Sequence, residues 1–251
     1  MKRFLCALLL VLPATLVAAD SATHRYLVAT EAGVRPHVLR TLSPLDPETL
    51  GVPESRNLVT FESVQGFAAD LTADEAASLA KAPGVKSVTV AKERHALGLR
   101  TSANDGDPQV IPPGITLVHA PAVWPVRQGD GINVVVIDTG VDFNHPDLSD
   151  AYAGGLNTID STAPPMDDNE HGTHCSGIIA AANNSIGVVG VAPRIHLWAV
   201  KVLNAAGNGS SAHIIQAIDW VIGQKQKLGG NWVMSLSLGS SQSELLEQQA
   251  F

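Results

Sequence analysis

The chain has 251 residues, 45% of them hydrophobic and 16% charged, with a formal net charge of −8. That is enough apolar material for one or two packed domains. The acidic balance argues against nucleic acid or an anionic membrane surface as the main partner, because both demand clustered Lys and Arg.

Met1, Lys2 and Arg3 form a basic lead, residues 4–12 an apolar run, and Val17-Ala18-Ala19 a small-residue cleavage site before Asp20. That order of regions describes a signal peptide over residues 1–19, so the remainder is expected to be secreted, to the extracellular space or a periplasm. Pro13 interrupts the run short of the roughly 20 apolar residues a bilayer span needs. No membrane association is expected after cleavage. Cys6 leaves with the signal, and Cys175 then stands without an internal disulfide partner.

Residues 20–107 have the rhythm of a small domain. Residues 24–30, 57–64, 66–71 and 85–90 read as strands, the last (Val-Lys-Ser-Val-Thr-Val) with clean period two. A helix is expected after the third strand, opened by a capping box of Thr72 with Glu75 and closed at Pro83-Gly84. A second helix is expected over residues 35–42. Together these give a small α+β sandwich. Residues 100–113 are polar with Gly and Pro, and read as an exposed linker open to proteases.

Beyond the linker the pattern changes. Residues 132–137 (Ile-Asn-Val-Val-Val-Ile) suit a strand covered on both faces. Residues 195–203 and 232–238 are further strands. Between them, Ser210 or Ser211 caps a helix with Ile214, Ile215, Ala217, Ile218, Val221 and Ile222 on one face, ending at Gly229-Gly230. Alternating strand and helix imply an α/β unit with a mainly parallel sheet, whose sites gather at the carboxyl ends of strands.

One stretch organises this second unit. Residues 169–182 place His171 at the mouth of a helix built almost entirely from small residues, as if another backbone had to pass close by. Asp138 ends the 132–137 strand and can accept a hydrogen bond from His171, fixing its tautomer and stabilising the imidazolium. A helix N-terminus disfavours that cation and a carboxylate favours it, an opposition suited to a general base near neutral pH. Rival readings have less behind them. Asp138-Thr139-Gly140 also suits an aspartic protease, but no second such triplet supplies the partner carboxylate. His145, His171 and His174 could ligate zinc, yet no acidic residue lies between the last two as in the zinc-protease helix. His174 reads more simply as a buried, hydrogen-bonded histidine. Cys175 reads as inert, since it lies inside the helix.

Val134-Val-Val-Ile-Asp138-Thr-Gly-Val-Asp142, His145-Pro-Asp147-Leu and His171-Gly-Thr-His-Cys-Ser-Gly resemble the aspartate and histidine blocks of the subtilisin-like serine proteases, including the proteinase K-like branch. Asn183-Asn-Ser-Ile-Gly-Val188, Gly190-Val-Ala-Pro193, Ala199-Val-Lys-Val-Leu203 and Ser237-Leu-Gly239 continue the resemblance in order. Gln109-Val-Ile-Pro-Pro-Gly resembles the start of a mature enzyme, while Gly66-Phe-Ala-Ala-Asp-Leu and Gly84-Val-Lys-Ser-Val resemble an inhibitory propeptide. The fold implied is α/β, a subtilisin-like parallel sheet flanked by helices and incomplete here, preceded by a small α+β, ferredoxin-like propeptide domain. The implied divisions are a signal peptide over 1–19, the propeptide over 20–107 and the first part of the catalytic domain over 108–251.

The resemblance implies that Asp138 orients His171 and that His171 deprotonates a serine. Gly207, Asn208 and Gly209 match one wall of the peptide-binding site, and Ser237, Leu238 and Gly239 the other. An extended protein or peptide substrate would add as a strand between them. Gln109, Asp147 and Asn184 match side-chain ligands of a structural calcium ion, and Ala182, Ile186 and Val188 its carbonyl donors. The propeptide is implied to act as an intramolecular inhibitor, with maturation between Thr101 and Pro108. The family's Gly-Thr-Ser-Met-Ala-type nucleophile turn and its oxyanion asparagine do not occur in the sequence. A truncated protease precursor, inactive as written, is therefore the expectation. The alternative is a non-catalytic inhibitor or folding aid built on residues 20–107.

Overall fold

The structure, a computed structural model, describes residues 22–39, 45–96, 108–240 and 245–250. The expected signal peptide, and residues 97–107 with nearly all of the expected maturation segment, lie outside the described residues.

The first unit comprises β1 (His24–Thr30), β2 (His37–Leu39), β3 (Gly51–Pro53), β4 (Val59–Thr60), β5 (Gly66–Leu71), α1 (Ala73–Leu79) and β6 (Val85–Val90). Its main sheet is antiparallel in the order β4-β5-β1-β6. One face, with Val28, Phe67, Ala69 and Leu71, packs on Ala76 and Leu79 of α1. The other face, with Leu27, Ala29 and Ala68, packs with Phe61 and Val64 against Ala212, Ile215 and Leu246 of the second unit. The capping box forms: the Glu75 amide donates to Thr72 Oγ1 at 3.2 Å, and the Thr72 amide to Glu75 Oε2 at 2.8 Å.

Three expectations here are corrected. No helix covers 35–42. His37–Leu39 is a strand paired in parallel with Gly51–Pro53, and residues 40–44 lie outside the described residues. Pro36 accounts for this, since the residue before a proline is pushed out of the helical region. The strand expected over 57–64 shrinks to β4, because Asn57 takes a left-handed φ of 49° to close a short 3-10 turn over Glu54–Arg56. Helix α1 ends at Leu79, ahead of Pro83-Gly84, with turns at Lys81 and Ala82 filling the interval.

β7 (Glu93–Ala96) ends the first unit, and the second part contains α2 (Pro113–Leu117), α3 (Ala120–Val123), β8 (Ile132–Asp138), β9 (Tyr152–Asn157), α4 (His171–Ala180), β10 (His196–Lys201), β11 (Asn208–Ser210), α5 (Ser211–Leu228), β12 (Asn231–Ser235), β13 (Leu238–Gly239) and α6 (Leu245–Ala250). A parallel sheet runs β12-β8-β10-β9. Both faces of β8 are covered, as its sequence requires. Val135 and Ile137 pack with Ile214, Ala217 and Ile218 of α5, while Val134 and Val136 pack with Val141, Leu148 and Ala180. Ser210 occupies the N-cap of α5 but makes no side-chain capping bond, and Gly229 closes the helix at φ 68°.

The strand expected over 232–238 is two strands, β12 in the sheet and β13 elsewhere. The carboxyl end of the expected linker is not free either. The Gln109 amide donates to Ser185 O at 3.1 Å and the Val110 amide to Gly187 O at 2.8 Å, docking it on the 182–188 loop. No helix among the described residues is long and apolar enough to cross a membrane.

Candidate active site and peptide groove

Asp138 is the last residue of β8 and is fully buried. Its Oδ1 lies 2.8 Å from His171 Nδ1 and accepts the Thr139 amide at 2.7 Å. Among the described residues, its Oδ2 is buried without a hydrogen-bond partner. Burial pushes the Asp138 carboxyl above its ordinary range, against the pull of His171 and the Thr139 amide. Such a carboxylate gains most from a positive imidazolium beside it.

The small residues of α4 explain how His171 reaches this position. Gly172, Ser176 and Ala180 form its buried face at helical spacing. A Cβ on Gly172 would fall 2.1 Å from Gly140 O, so only glycine lets the helix sit against the Asp138-Thr139-Gly140 turn. Gly140 itself has a φ of +107° and would meet the Pro165 carbonyl. The backbone expected to pass close to α4 is this turn.

His171 is the first residue of α4. The preceding Glu170, at φ 83°, makes no side-chain capping bond. Thr139 and Asp167 cap the helix instead. Thr139 Oγ1 accepts the Gly172 amide at 2.8 Å and donates to Asp167 Oδ1 at 2.8 Å. Asp167 also accepts the amides of Asn169, Glu170 and Thr173, and the Thr173 hydroxyl at 2.6 Å. Burial alone would raise the Asp167 carboxyl, but the bonds from Thr173, Asn169 and Thr139 outweigh it and hold the group low. A carboxylate there also complements the positive end of the helix. Lys201, nearly buried, donates to Thr139 O and Asp168 Oδ1, each at 2.6 Å, and ties the same turn to β10. Sequence reasoning missed Asp167 and Lys201 as supports of the pair; an acidic residue just ahead of a helix start was the available signal.

His174 is corrected. It is exposed on the outer face of α4, beside a cavity of about 930 Å³ that Asp142, Asp168 and Glu170 also line. Among the described residues, the one group of three placed to share a metal is Asp138, His171 and Cys175, so His145 and His174 do not join His171 in a zinc site. The Cys175 Sγ is 3.9 Å from His171 Nδ1. Burial raises its thiol above the usual value, despite a bond to Ser237, so a thiolate is disfavoured.

The six residues that the resemblance implies for two facing walls flank a single strand. Gly207 and Asn208–Ser210 (β11) stand on one side, and Ser237 with Leu238–Gly239 (β13) on the other. Between them lies β7, antiparallel to both. His95 stands opposite Asn208 on one side and Gly239 on the other, and the Ala96 amide donates to Gly207 O at 2.9 Å. A Cβ on Gly209 would sit 2.2 Å from Val202 O, so this wall needs glycine there. Nothing in the sequence of β7, Glu-Arg-His-Ala, announces a strand.

The third predicted cluster also assembles. Gln109 Nε2 is ringed by Ala182 O at 2.8 Å, Asn184 Oδ1 at 3.2 Å, Val188 O at 3.3 Å and Ile186 O at 3.5 Å. Buried Asp147 borders it, accepting Asn184 Nδ2 at 2.8 Å and the Val188 amide at 3.0 Å. Four neutral oxygens converging on one point beside a carboxylate form a hard donor set that fits calcium. A half-turn of the Gln109 amide would add its own oxygen.

Residues 129–250 match the Subtilase family, and residues 26–96 match Peptidase inhibitor I9. The chain belongs to the subtilase family. A thermostable alkaline protease of Halalkalibacterium halodurans is 38% identical over 186 residues, which cover 72% of this chain and 45% of that protein. An intracellular serine protease of Paenibacillus polymyxa is 47% identical over 133 residues, covering 51% and 39%. Subtilisin Savinase of Lederbergia lenta is 46% identical over 142 residues, covering 56% and 50%. The chain thus spans half or less of the length of these relatives. The subtilase part carries the parallel sheet, α4 and both groove walls, and the inhibitor part ends on β7, in the groove.

Proposed function

We propose that this subtilase chain belongs to the precursor of a secreted serine endopeptidase, with Asp138 and His171 as two members of its triad and the β7 groove as its substrate site. The observation that carries the reading is the 2.8 Å contact of Asp138 Oδ1 with His171 Nδ1, one helical turn from a thiol bonded to the groove residue Ser237. With its Nδ1 proton in that bond, the imidazole presents Nε2 as an acceptor. It would take the proton of a serine hydroxyl as the serine oxygen attacks a peptide carbonyl carbon, and return it to the leaving amine; water repeats the cycle on the acyl-enzyme. The buried carboxylate stabilises the imidazolium formed at each transfer.

No serine of the sequence lies in a nucleophile turn, so the pair needs one from residues outside these 251. A Gly-Thr-Ser-Met-Ala-type turn in the reading frame past Phe251 supports the proposal. With it present, the full-length precursor should hydrolyse casein and lose about 10⁴-fold or more in rate on His171→Ala. Equal activity in the variant would sink the assignment. Gln109, Asp147 and Asn184, with the carbonyls of Ala182, Ile186 and Val188, would hold a calcium ion. When bound, the ion would supply only charge to lock the 182–188 loop against the Gln109 segment.

The same geometry favours the N-terminal unit, with a boundary near residue 107, as an intramolecular inhibitor: β7 fills both walls of the groove. A free-standing inhibitor or folding aid is the second reading, supported by the apolar face that Leu27, Ala29 and Ala68 offer to α5. A reading frame without the nucleophile turn would favour it.

A further inference from the structure

Side chains of an added strand point alternately into and out of its groove. Along β7, Glu93 and His95 are exposed, while Arg94 turns inward and is only 3% exposed. The Arg94 guanidinium meets Glu247 of α6 in a fork: Nε donates to Oε1 at 3.1 Å, and Nη2 donates to Oε2. Nη1 bonds the Glu93 carbonyl at 3.1 Å. Glu247 is itself buried, beside Leu246 in the apolar layer that holds Phe61, Val64 and Ile215. Among the described residues, both hydrogen bonds that its carboxylate accepts come from Arg94.

A buried carboxylate is unlike the rest of the groove, whose walls pair with the β7 main chain and touch its side chains at the exposed bond of Asn208 Oδ1 with His95 Nδ1, 2.7 Å. Burying it opposite an apolar side chain leaves a desolvated charge without a partner. Lysine offers a single point charge and no fork. Only arginine satisfies both oxygens at once, from a position fixed by main-chain pairing on both sides.

We propose that the groove position filled by Arg94 is an arginine-selecting subsite, with Glu247 as its selector. Substrates taken in this groove therefore carry arginine two residues ahead of the residue whose amide bonds Gly207. The inference rests on the groove being the substrate site.

The test uses the whole chain, nicked by limited trypsin at Arg100 so that the two units stay associated without a covalent link. Two blocked peptides, acetyl-Glu-Arg-His-Ala-amide and acetyl-Glu-Leu-His-Ala-amide, then compete with the N-terminal unit, followed by size-exclusion chromatography. The arginine peptide should displace it at a concentration roughly thirtyfold lower or less, the scale of an unpaired buried charge. In the Glu247→Gln chain, which keeps shape and loses charge, that preference should collapse. Equal potency in the parent chain, or an unchanged preference in Glu247→Gln, overturns the selector and leaves the groove intact. Displacement by neither peptide overturns the groove reading, and the selector with it. Should Glu247→Gln fail to fold, Arg94→Lys and Arg94→Leu read the same pair from the other side. Both should weaken association of the nicked units, leucine more than lysine; equal affinities for all three overturn the proposal.

Discussion

Asp138 and His171 are held from within the C-terminal part, by Thr139, Gly140, Asp167 and the close seat of α4. The groove beside them is built the other way, its walls facing each other across a strand that arrives from the N-terminal unit. The Asp138–His171 pair is therefore held whether or not the groove is filled. The groove's occupant can leave without disturbing a single bond to the Asp138 carboxylate. That division suits the precursor proposed above, in which the Asp138–His171 contact is set independently of access to the groove.

The strongest way to break the self-held half is Asp167→Ala. The change removes the acceptor for Thr139, Asn169, Glu170 and both donors of Thr173. At about 0.5–1 kcal/mol net per bond, with some water replacement, the chain should lose about 3 kcal/mol in urea unfolding at neutral pH. The folded carboxyl is held below its ordinary value, so its contribution is full above that value and is lost as pH falls through the folded one. The gap between parent and variant should thus close in acid. A gap that widens in acid would contradict the arrangement, as would a change in the affinity of the nicked units.

Next in size is calcium. At free calcium about 100-fold above its dissociation constant, the bound ion should add about 2.7 kcal/mol to the C-terminal part. EDTA should lower the melting temperature accordingly, and Asp147→Asn should remove most of the calcium response. An EDTA-insensitive melting temperature would reject the ion. The bonds of the 182–188 loop run to Gln109 and Asp147, so association of the nicked units should not follow calcium.

The two halves also differ in how legible they were. The contact of Asp138 with His171 could be anticipated because it depends on short local segments, an apolar strand ending in Asp-Thr-Gly and a helix of small residues. β1, β5 and β6 were read with their full extents for the same local reason. β7 could not be: Glu-Arg-His-Ala becomes a strand only by pairing on both sides, and its decisive contact is with Glu247, far along the chain. β9 escaped because Gly154-Gly155 lowers strand propensity, yet a Cβ on Gly155 would stand 2.0 Å from Ala199 O. His174 was misjudged although the pattern contained the answer. With Gly172, Ser176 and Ala180 inward, a residue two places on from Gly172 lies about 200° round the helix, facing out.

The smallest expected effect probes the docking half alone. Asp219 of α5 accepts the amides of Glu62 and Ser63, at 3.0 and 2.7 Å, at the tip of the turn between β4 and β5. These are charge-assisted bonds to backbone donors that would otherwise face water, so only part of their strength is net. Asp219→Ala should weaken association of the nicked units by about 1.4 kcal/mol, a tenfold rise in Kd. Asp219→Asn, which keeps an acceptor oxygen, should cost less. Neither substitution touches the Asp138–His171 bond, so urea stability of the C-terminal part and the activity of the full-length precursor after propeptide removal should match the parent. A parallel fall in activity would mean that the N-terminal unit shapes the acid–base pair as well as the groove, and that the two regions are not independent.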